Sequence, residues 1–195
     1  SSAPVILFCH DVIPAKLPAL VEPQVALLFP RYLEVFVSSE TVVLCGSLAT
    51  MRDLREVLNC EQRPASCAVI SPGSDFANAL PSLPAEPHRG VIARDFILYV
   101  STVEIRKNHE VLLAAYATLL ARGRTDLPLL VFVGKRGWMV DALLREIDTR
   151  RGRASHVRLM EEVSDGELAA LYAQARFTVF PSRYEGWGLP VSEAL

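Results

Sequence analysis

Two glutamates near the end of the sequence, Glu185 and Glu193, flank a Gly-Trp-Gly-Leu-Pro segment within FPSRYEGWGLPVSEAL. Glycine loses more backbone freedom on folding than any other residue, so two glycines here indicate a loop that needs an open backbone. One interpretation is that the loop faces a ligand, with Glu193 accepting two hydroxyl hydrogen bonds from a sugar ring such as a ribose and Glu185 beside a second sugar. The alternative is structural, because a carboxylate in the first turn of a helix is favourable for dipole reasons alone.

A second candidate, STVEIRKNH, follows a predicted strand and precedes a predicted helix. It places Arg106 and Lys107 beside a helix N-terminus, which attracts anions through its unpaired N–H groups and its dipole. Arginine adds a forked donor and lysine a point charge, and together they suit a phosphate or a diphosphate. The alternative is a solvated basic turn. Cations are unfavourable at a helix N-terminus unless an anion neutralises them, which favours the anion-binding interpretation.

The elements that position these residues follow from the alternation of short apolar runs with helix-period segments. The predicted strands are 5–8, 41–45, 67–71, 96–100, 129–133, 157–160 and 177–180. The predicted helices are 24–37 with a kink or break at Pro30, 48–58 capped by Ser47, 109–121, 140–150, one opened by a capping box at 164–167, and one that begins at Pro190. Fully apolar strands alternating with helices predict an α/β fold with Rossmann-like parallel sheets and helices on both faces.

Residues 77–95 interrupt this alternation with the proline-rich stretch NALPSLPAEPHRG, which is typical of a linker. We therefore predict a Rossmann-like N-terminal domain over 1–76, a linker over 77–95 and a second Rossmann-like domain over 96–195. The N-terminal part offers only about three strands, where a Rossmann-like half has about five or six. The sequence begins without an initiator methionine and ends inside a predicted helix, so we expect a chain truncated at both ends.

Composition narrows the class of protein. The formal net charge of -2 and the lack of a basic block argue against nucleic acid as a partner. No apolar run approaches the roughly 18–20 residues of a membrane span, and the start shows no signal-peptide pattern, so a cytoplasmic protein is expected. The four cysteines, Cys9, Cys45, Cys60 and Cys67, form no C-x-x-C pair, which favours buried, reduced thiols over disulfides.

Residues 96–195 resemble the C-terminal domain of family 4 glycosyltransferases, the retaining enzymes of GT-B architecture. Four segments carry the resemblance in order: VEIRKNHEVLLAAY, LVFVGKRGW, VSDGELAALYAQA and FPSRYEGWGLPVSEAL. The last contains the family's Glu-x7-Glu pattern at Glu185 and Glu193. The sequence is most similar to the bacterial polysaccharide and lipopolysaccharide branch, whose members are often mannosyltransferases. In the N-terminal part, FCHDVIP and ISPGSD resemble the family more weakly.

The resemblance implies a donor site in the C-terminal domain. Arg106 and Lys107 would hold the diphosphate of a nucleotide-diphosphate sugar, and Glu193 would bind its ribose. The sequence departs from the family at Ser101, where glycine is common, and at Ile105, where proline is common. A serine near the diphosphate either crowds the backbone approach or adds a hydroxyl donor, and the sequence leaves both open.

The resemblance also implies residues around the transferred sugar. Glu185 would lie by the donor sugar, and the N–H groups of Gly186, Trp187 and Gly188 would meet its hydroxyls or the phosphate. His10 would approach the sugar from the acceptor side, and a lone histidine after a strand is equally often a structural residue. Glu185 and His10 are thus the predicted catalytic residues.

The implied function is a retaining hexosyltransferase of polysaccharide biosynthesis. It would move a sugar, with mannose as the candidate, from a nucleotide-diphosphate sugar to a saccharide or lipid-linked acceptor, with no metal or other cofactor. Peripheral association with the inner face of the membrane is compatible with such an acceptor. The alternatives are a non-catalytic nucleotide-sugar-binding or interaction module of GT-B type and a nucleotide-sugar epimerase, the latter disfavoured by the Glu-x7-Glu pattern.

Overall fold

The computed structural model describes residues 5–34, 36, 41–58, 66–73, 95–149 and 156–195. The chain divides into two compact units, one made of residues 1–73 with 184–189 and the other of residues 74–183 with 190–195. The predicted linker lies outside the described residues apart from Asp95, so the domain boundaries stay a prediction. Within the described ranges, no helix combines the length and the apolar character needed to cross a membrane.

The first unit is built on three parallel strands in the order β1-β2-β3. In chain order its elements are β1 (Val5–Cys9), α1 (Ile13–Lys16), a 3₁₀ turn (Pro18–Leu20), α2 (Pro23–Glu34), β2 (Thr41–Cys45), α3 (Leu48–Val57) and β3 (Ser66–Val69). Alternate residues of β2, Val43 and Cys45, are fully buried and pack with Leu33 of α2 and Leu54 of α3. The period of two along β2 therefore builds the core of this unit.

In this unit the helix cap at Ser47 forms as the sequence predicts, whereas the proline in α2 does not end the helix. Ser47 caps α3, because its Oγ accepts a hydrogen bond from the Thr50 N–H at 3.0 Å. Pro30 lies inside α2, which continues to Glu34, so of the predicted kink or break the break is wrong and the kink stays a prediction. A proline removes one hydrogen bond of a helix, and here α2 runs through that loss without ending.

Three described cysteines are thiols. The Sγ atoms of Cys45 and Cys67 lie 3.8 Å apart, and Cys9 and Cys45 pair in register on β1 and β2. Burial raises the pKa of Cys9 and of Cys45 to about 12, which keeps both protonated and unreactive at neutral pH. The prediction of reduced thiols is confirmed for these three, and Cys60 lies outside the described residues.

The second unit is a four-stranded parallel sheet in the order β6-β5-β4-β7. Its elements are β4 (Phe96–Val100), a 3₁₀ turn (Ile105–Lys107), α4 (His109–Ala121), β5 (Leu129–Val133), α5 (Asp141–Thr149), β6 (Val157–Met160), α6 (Asp165–Gln174), β7 (Phe177–Thr178) and, after a loop of the first unit, α7 (Leu189–Glu193).

Both faces of this sheet are covered. Every residue of β5 is buried, and successive residues point to opposite sides. Leu130 and Phe132 join a core cluster with residues of α4 and α5, whereas Leu129, Val131 and Val133 join another with Leu171 of α6. The predicted α/β class with helices on both faces is confirmed here.

Three boundaries in this unit differ from the prediction, and the first is that of α5, which begins at Asp141 and not at residue 140. β7 is only Phe177–Thr178, although the Val179 N–H still donates to the carbonyl of Leu98 at 2.9 Å. α7 begins at Leu189, so Pro190 is its second residue, still in the first turn, where a missing N–H costs nothing. The capping box is present as predicted, with reciprocal hydrogen bonds between Ser164 and Glu167 at the start of α6.

Candidate functional site

The carboxyl ends of β4 and β7 flank the point at which the strand order of the second sheet reverses. β5 pairs with one edge of β4 and β7 with the other edge, so the chain returns across the sheet after β6. Ligands of doubly wound sheets bind at this switch point, outside the carboxyl ends of the strands. The segments that follow the two strands, 101–109 and 179–183, therefore form the candidate site of this unit.

Arg106 and Lys107 lie in the 3₁₀ turn between β4 and α4. Asn108 closes the turn in the left-handed conformation (φ 57°, ψ 41°), which asparagine adopts more readily than most residues. Its side-chain amide donates to the carbonyl of Pro181 at 3.1 Å, and the Arg183 N–H donates to the carbonyl of Arg106 at 3.0 Å. The segment after β7 thus fixes the turn that carries both predicted diphosphate-binding residues at the switch point of the sheet.

The Arg106 guanidinium forms an ion pair with Glu104. Nη2 of Arg106 donates to Oε1 of Glu104, whose side chain is only 2% exposed, while that of Arg106 is 13% exposed. Removing either partner of so buried a pair would leave an uncompensated charge, which is strongly unfavourable. The pair fixes the direction of the guanidinium at the crevice. Sequence reasoning missed Glu104, and the available signal was a carboxylate two residues before an arginine in VEIRK.

The backbone of Lys107 rests on Tyr99, a fully buried residue of β4. The Tyr99 phenol donates to the carbonyl of Lys107 at 2.6 Å, and its oxygen lies 3.2 Å from Oγ of Ser182. A buried tyrosine normally finds a partner for its hydroxyl, so a tyrosine in the apolar strand FILYV was the signal for this contact. Through this hydrogen bond, β4 stabilises the 3₁₀ turn Ile105–Lys107, the basic turn.

Ser101 directs its hydroxyl toward α4. Its Oγ lies 3.4 Å from Nε2 of His109, a fully buried residue at the first position of that helix. Burial, and then the positive charge of Lys107, lowers the pKa of His109 to about 4, so the imidazole is neutral at physiological pH. The departure from glycine at Ser101 thus places a hydroxyl against a neutral histidine at the start of α4.

The loops after β4 and β5 run side by side. The Ser101 N–H donates to the carbonyl of Val133 at 2.9 Å, and the Val103 N–H donates to that of Lys135 at 2.8 Å. Gly134 lies between these bonds with φ 153°, and a Cβ there would overlap the carbonyl of Ser101. Only glycine permits this approach, which aligns the backbone that leads to the basic turn.

Glu193 is the last residue of α7, so the predicted placement of its carboxylate in the first turn of the helix is wrong. A tyrosine of α6 holds this carboxylate instead. The Tyr172 hydroxyl donates to Oε2 of Glu193 at 2.8 Å and lies 3.5 Å from the carbonyl of Pro190. Burial, and then the hydrogen bond to Glu193, holds the pKa of Tyr172 far above its usual range, so the phenol remains a donor. Sequence reasoning missed this contact, because LAALYAQA gives the helix but not the element that its tyrosine meets.

The glycine loop after β7 packs within the first unit, to which residues 184–189 belong. The carbonyl of Gly186 accepts from Oγ of Ser47 at 2.6 Å and from Oγ1 of Thr50 at 3.1 Å. A Cβ at Gly186 would overlap the carbonyl of His10. This close approach is what requires an open backbone at that point. The Tyr184 hydroxyl donates to Oδ2 of Asp53, a buried carboxylate of α3, which anchors the start of the loop.

The remaining predicted residues of this loop are partly or largely accessible. Glu185 is half-buried, Trp187 is 40% exposed and Gly188 has φ 106°. His10 is exposed after β1, with its ring 4.7 Å from that of Phe8 in an edge-on arrangement. The structure therefore brings the His10 backbone against the glycine loop.

The predicted site residues fall into two sets. Arg106, Lys107 and Glu193 belong to the second unit, and His10, Glu185, Gly186, Trp187 and Gly188 to the first. Their individual roles stay predictions. In the part of the chain that the structure describes, no group of three or more His, Cys, Asp or Glu residues could hold a metal ion.

Comparison with known proteins gives a consistent assignment. The chain is 35% identical over 145 residues to the O-antigen chain mannosyltransferase B of Escherichia coli, which covers 72% of this chain and 38% of that protein. It is 30% identical over 198 residues to the serotype-specific mannosyltransferase WbdA of Escherichia coli, covering 95% of this chain and 24% of that protein. The chain thus spans well under half the length of these curated relatives.

A solved structure shows the same fold at low identity. An α,α-trehalose-phosphate synthase (UDP-forming) from Burkholderia vietnamiensis matches with a TM-score of 0.71 at 13% identity, over 98% of this chain and 48% of that one. The predicted fold, α/β of the GT-B type, is therefore confirmed. Residues 91–195, more than half of the chain, match the model of the family "Glycosyl transferases group 1". The chain therefore belongs to the group 1 glycosyl transferases.

Proposed function

We propose that this chain is the donor-binding part of a retaining glycosyltransferase of polysaccharide biosynthesis. The protein would move a hexose, with mannose as the candidate, from a nucleotide-diphosphate sugar to a saccharide or lipid-linked acceptor at the cytoplasmic side of the membrane. The observation that carries the proposal is the position of Arg106 and Lys107, held at the switch point of the sheet at the start of α4. The Escherichia coli relatives, an O-antigen chain mannosyltransferase and a serotype-specific mannosyltransferase, support mannose and an O-antigen-like polysaccharide.

The chemistry required of this site is stabilisation of a departing diphosphate. Negative charge grows on the leaving group as the bond between the sugar and the phosphate oxygen breaks. Arg106, Lys107 and the N-terminus of α4 would offset that charge, and electrostatic stabilisation of this kind is typically worth several kcal/mol. No metal ion is required in this scheme, because the chain's own cations carry the compensation.

Retention of configuration follows if the acceptor attacks from the face that the diphosphate leaves. Such a route needs no protein nucleophile, so Glu185 acts by contacting the sugar and not by forming a covalent intermediate. His10 would contact the sugar from the acceptor side. The relatives' names favour transfer over a domain that only binds the nucleotide sugar.

Titration with nucleotide diphosphates tests the proposal. Calorimetry of the chain against ADP, CDP, GDP and UDP, and against the corresponding nucleotide sugars, is expected to give one preferred base. Lys107→Ala should lower the affinity for that diphosphate roughly ten- to a hundredfold, because a charge-assisted hydrogen bond is worth about 1.5–3 kcal/mol. Binding of none of these ligands would contradict the proposal.

A matched control is available on the same helix. Arg124 follows the opposite end of α4 and pairs with Asp126 at the surface. Arg124→Ala also removes one positive charge from this unit, so it should leave the affinity unchanged if the diphosphate binds at the N-terminus of α4. An equal loss of affinity in both variants would show that only the net charge matters, and would refute a diphosphate site at Lys107.

A further inference from the structure

Tyr172 makes the only hydrogen bond to the Glu193 carboxylate among the described residues. Its hydroxyl donates to Oε2 at 2.8 Å, and its 3.5 Å distance to the carbonyl of Pro190 makes that second contact the weaker one. Oε1 of Glu193 has no hydrogen bond to any described residue. A carboxylate offers about four lone-pair sites, so a carboxylate with one phenol donor can still accept two hydroxyl hydrogen bonds.

The two partners differ in how firmly they are held. Tyr172 lies on α6, which begins with the Ser164–Glu167 capping box and is anchored in the core by the neighbouring Leu171, 3% exposed. Glu193 is the last residue of α7, which has only 5 residues. A flexible side chain at the end of a short helix loses rotamer freedom when it binds a ligand. A hydrogen bond from a fixed neighbour removes part of that cost beforehand.

We propose that Tyr172 is a positioning residue that orients the Glu193 carboxylate toward the ribose diol of the nucleotide donor. The proposal rests on the proposed function and on the role that the family resemblance implies for Glu193, which is to bind the ribose. It adds a residue outside the recognised Glu-x7-Glu pattern and predicts that loss of a single hydroxyl on α6 weakens recognition of a ribose. The high pKa of the phenol means that this donor is present at every physiological pH.

The experiment measures recognition of the ribose hydroxyls separately from the phosphates. The probes are the tightest-binding diphosphate among ADP, CDP, GDP and UDP, its 2′,3′-dideoxy counterpart, and inorganic pyrophosphate. Wild type should bind the ribonucleotide at least tenfold more tightly than the dideoxy compound. In Tyr172→Phe this ratio should fall about three- to tenfold, through weaker binding of the ribonucleotide, with pyrophosphate affinity unchanged.

Three further variants separate positioning from a general structural effect. Glu193→Gln should also lose the discrimination, and Tyr172→Phe combined with Glu193→Gln should behave as Glu193→Gln alone, because the tyrosine acts through the carboxylate. Tyr116→Phe is the matched control, since it removes another hydroxyl of this unit that donates to a backbone carbonyl, that of Pro128 at 3.1 Å. It should leave the ratio at the wild-type value.

Each outcome decides between the two proposals. If Glu193→Gln loses the discrimination and Tyr172→Phe keeps it, the positioning role is wrong and the proposed function stands. If Tyr172→Phe weakens pyrophosphate as much as the ribonucleotide, or if Tyr116→Phe changes the ratio equally, the effect is structural and the positioning role is wrong. If wild type binds no nucleoside diphosphate, the proposed function fails and the inference fails with it.

Discussion

At the scale of single residues, two predicted site side chains of the second unit, those of Arg106 and Glu193, are held by neighbours that have no predicted role of their own. Glu104 pairs with Arg106, and Tyr172 donates to Glu193. A side chain fixed before the ligand arrives loses less entropy on binding, so in the proposed site these partners should raise affinity without touching the ligand. The buried His109 contributes differently, because it is neutral beside Lys107 and leaves the positive charge of the turn to Arg106 and Lys107.

The two glutamates of the Glu-x7-Glu pattern should have different effects on binding and transfer. Glu193→Gln should weaken both free nucleotide diphosphate and nucleotide sugar, because it loses the charge-assisted part of the ribose contact. Glu185→Gln should leave free nucleotide binding close to wild type and lower the rate of sugar transfer, since in the proposed function its contact is made to the sugar. Calorimetry and transfer rates measure both. Equal weakening of free nucleotide binding by the two variants would show that this division is wrong.

His109 should make the stability of the protein depend on pH. Its pKa is about 4 when folded and ordinarily about 6.5, so between these values the unfolded chain binds a proton that the folded chain does not. The contribution of His109 to the free energy of unfolding should therefore be fully present above pH 6.5. It should decrease by about 3 kcal/mol as the pH drops toward 4.

Denaturant titrations of wild type and His109→Gln between pH 7 and pH 4 measure this dependence. Carboxylates lose stability at low pH in both proteins, so the difference between the two curves isolates the histidine. The variant should show the shallower decline. Parallel curves would mean that His109 is not kept neutral by burial.

At the scale of elements, the loops after β4 and β5 align the turn that carries the basic residues. Hydrogen bonds from Ser101 and Val103 to the β5 side continue the parallel pairing beyond the ends of the strands. Gly134 permits this contact, because its backbone is in a region that favours glycine and it has no side chain to meet the Ser101 carbonyl. The position of the turn thus depends on a residue with no side chain at all.

Gly134→Ala should destabilise the second unit by at least about 2 kcal/mol, since it combines backbone strain with overlap of the Ser101 carbonyl. Gly123→Ala is the control for strain alone, because Gly123 also has a positive φ (79°) and nothing lies within 4 Å of a Cβ built there. It should cost about 1 kcal/mol. Chemical denaturation compares the two. An equal loss in both variants would contradict the overlap.

At the scale of the whole molecule, the proposed reaction assigns compensation for the diphosphate charge to one turn of the second unit. The chain has a formal net charge of -2, and the part of it that the structure describes has no cluster suited to a metal ion. In the proposed reaction, Arg106, Lys107 and the dipole of α4 would offset the charge of the leaving group.

Under the proposed mechanism, sugar transfer should be insensitive to removal of divalent metals. Addition of EDTA should leave the transfer rate within about twofold of the untreated rate, since no step of the proposed mechanism depends on a metal. Transfer of a labelled sugar to acceptor, with and without EDTA and with added Mg²⁺ or Mn²⁺, measures this. Loss of transfer with EDTA that Mg²⁺ or Mn²⁺ restores would contradict a metal-free mechanism.

The sequence by itself determined the elements and the family. Hydrophobic period identifies strands and helices because it reflects burial of one face, which is local along the chain. Helix caps at Ser47 and Ser164 were likewise readable, because each cap and its partner lie within one turn. The motifs around Arg106 and Glu193 sufficed for the glycosyltransferase assignment.

Tertiary structure alone decided which side chains meet. Tyr172 and Glu193 are 21 residues apart, and Ser47 and Gly186 are 139 apart. Neither contact can therefore be predicted from a period or a spacing in the sequence. Such contacts depend on strand order and on helix packing, which sum many weak interactions over the whole core. The same packing sets the close approach of Gly186 to the His10 carbonyl, and this approach is the physical reason for the glycine in that loop.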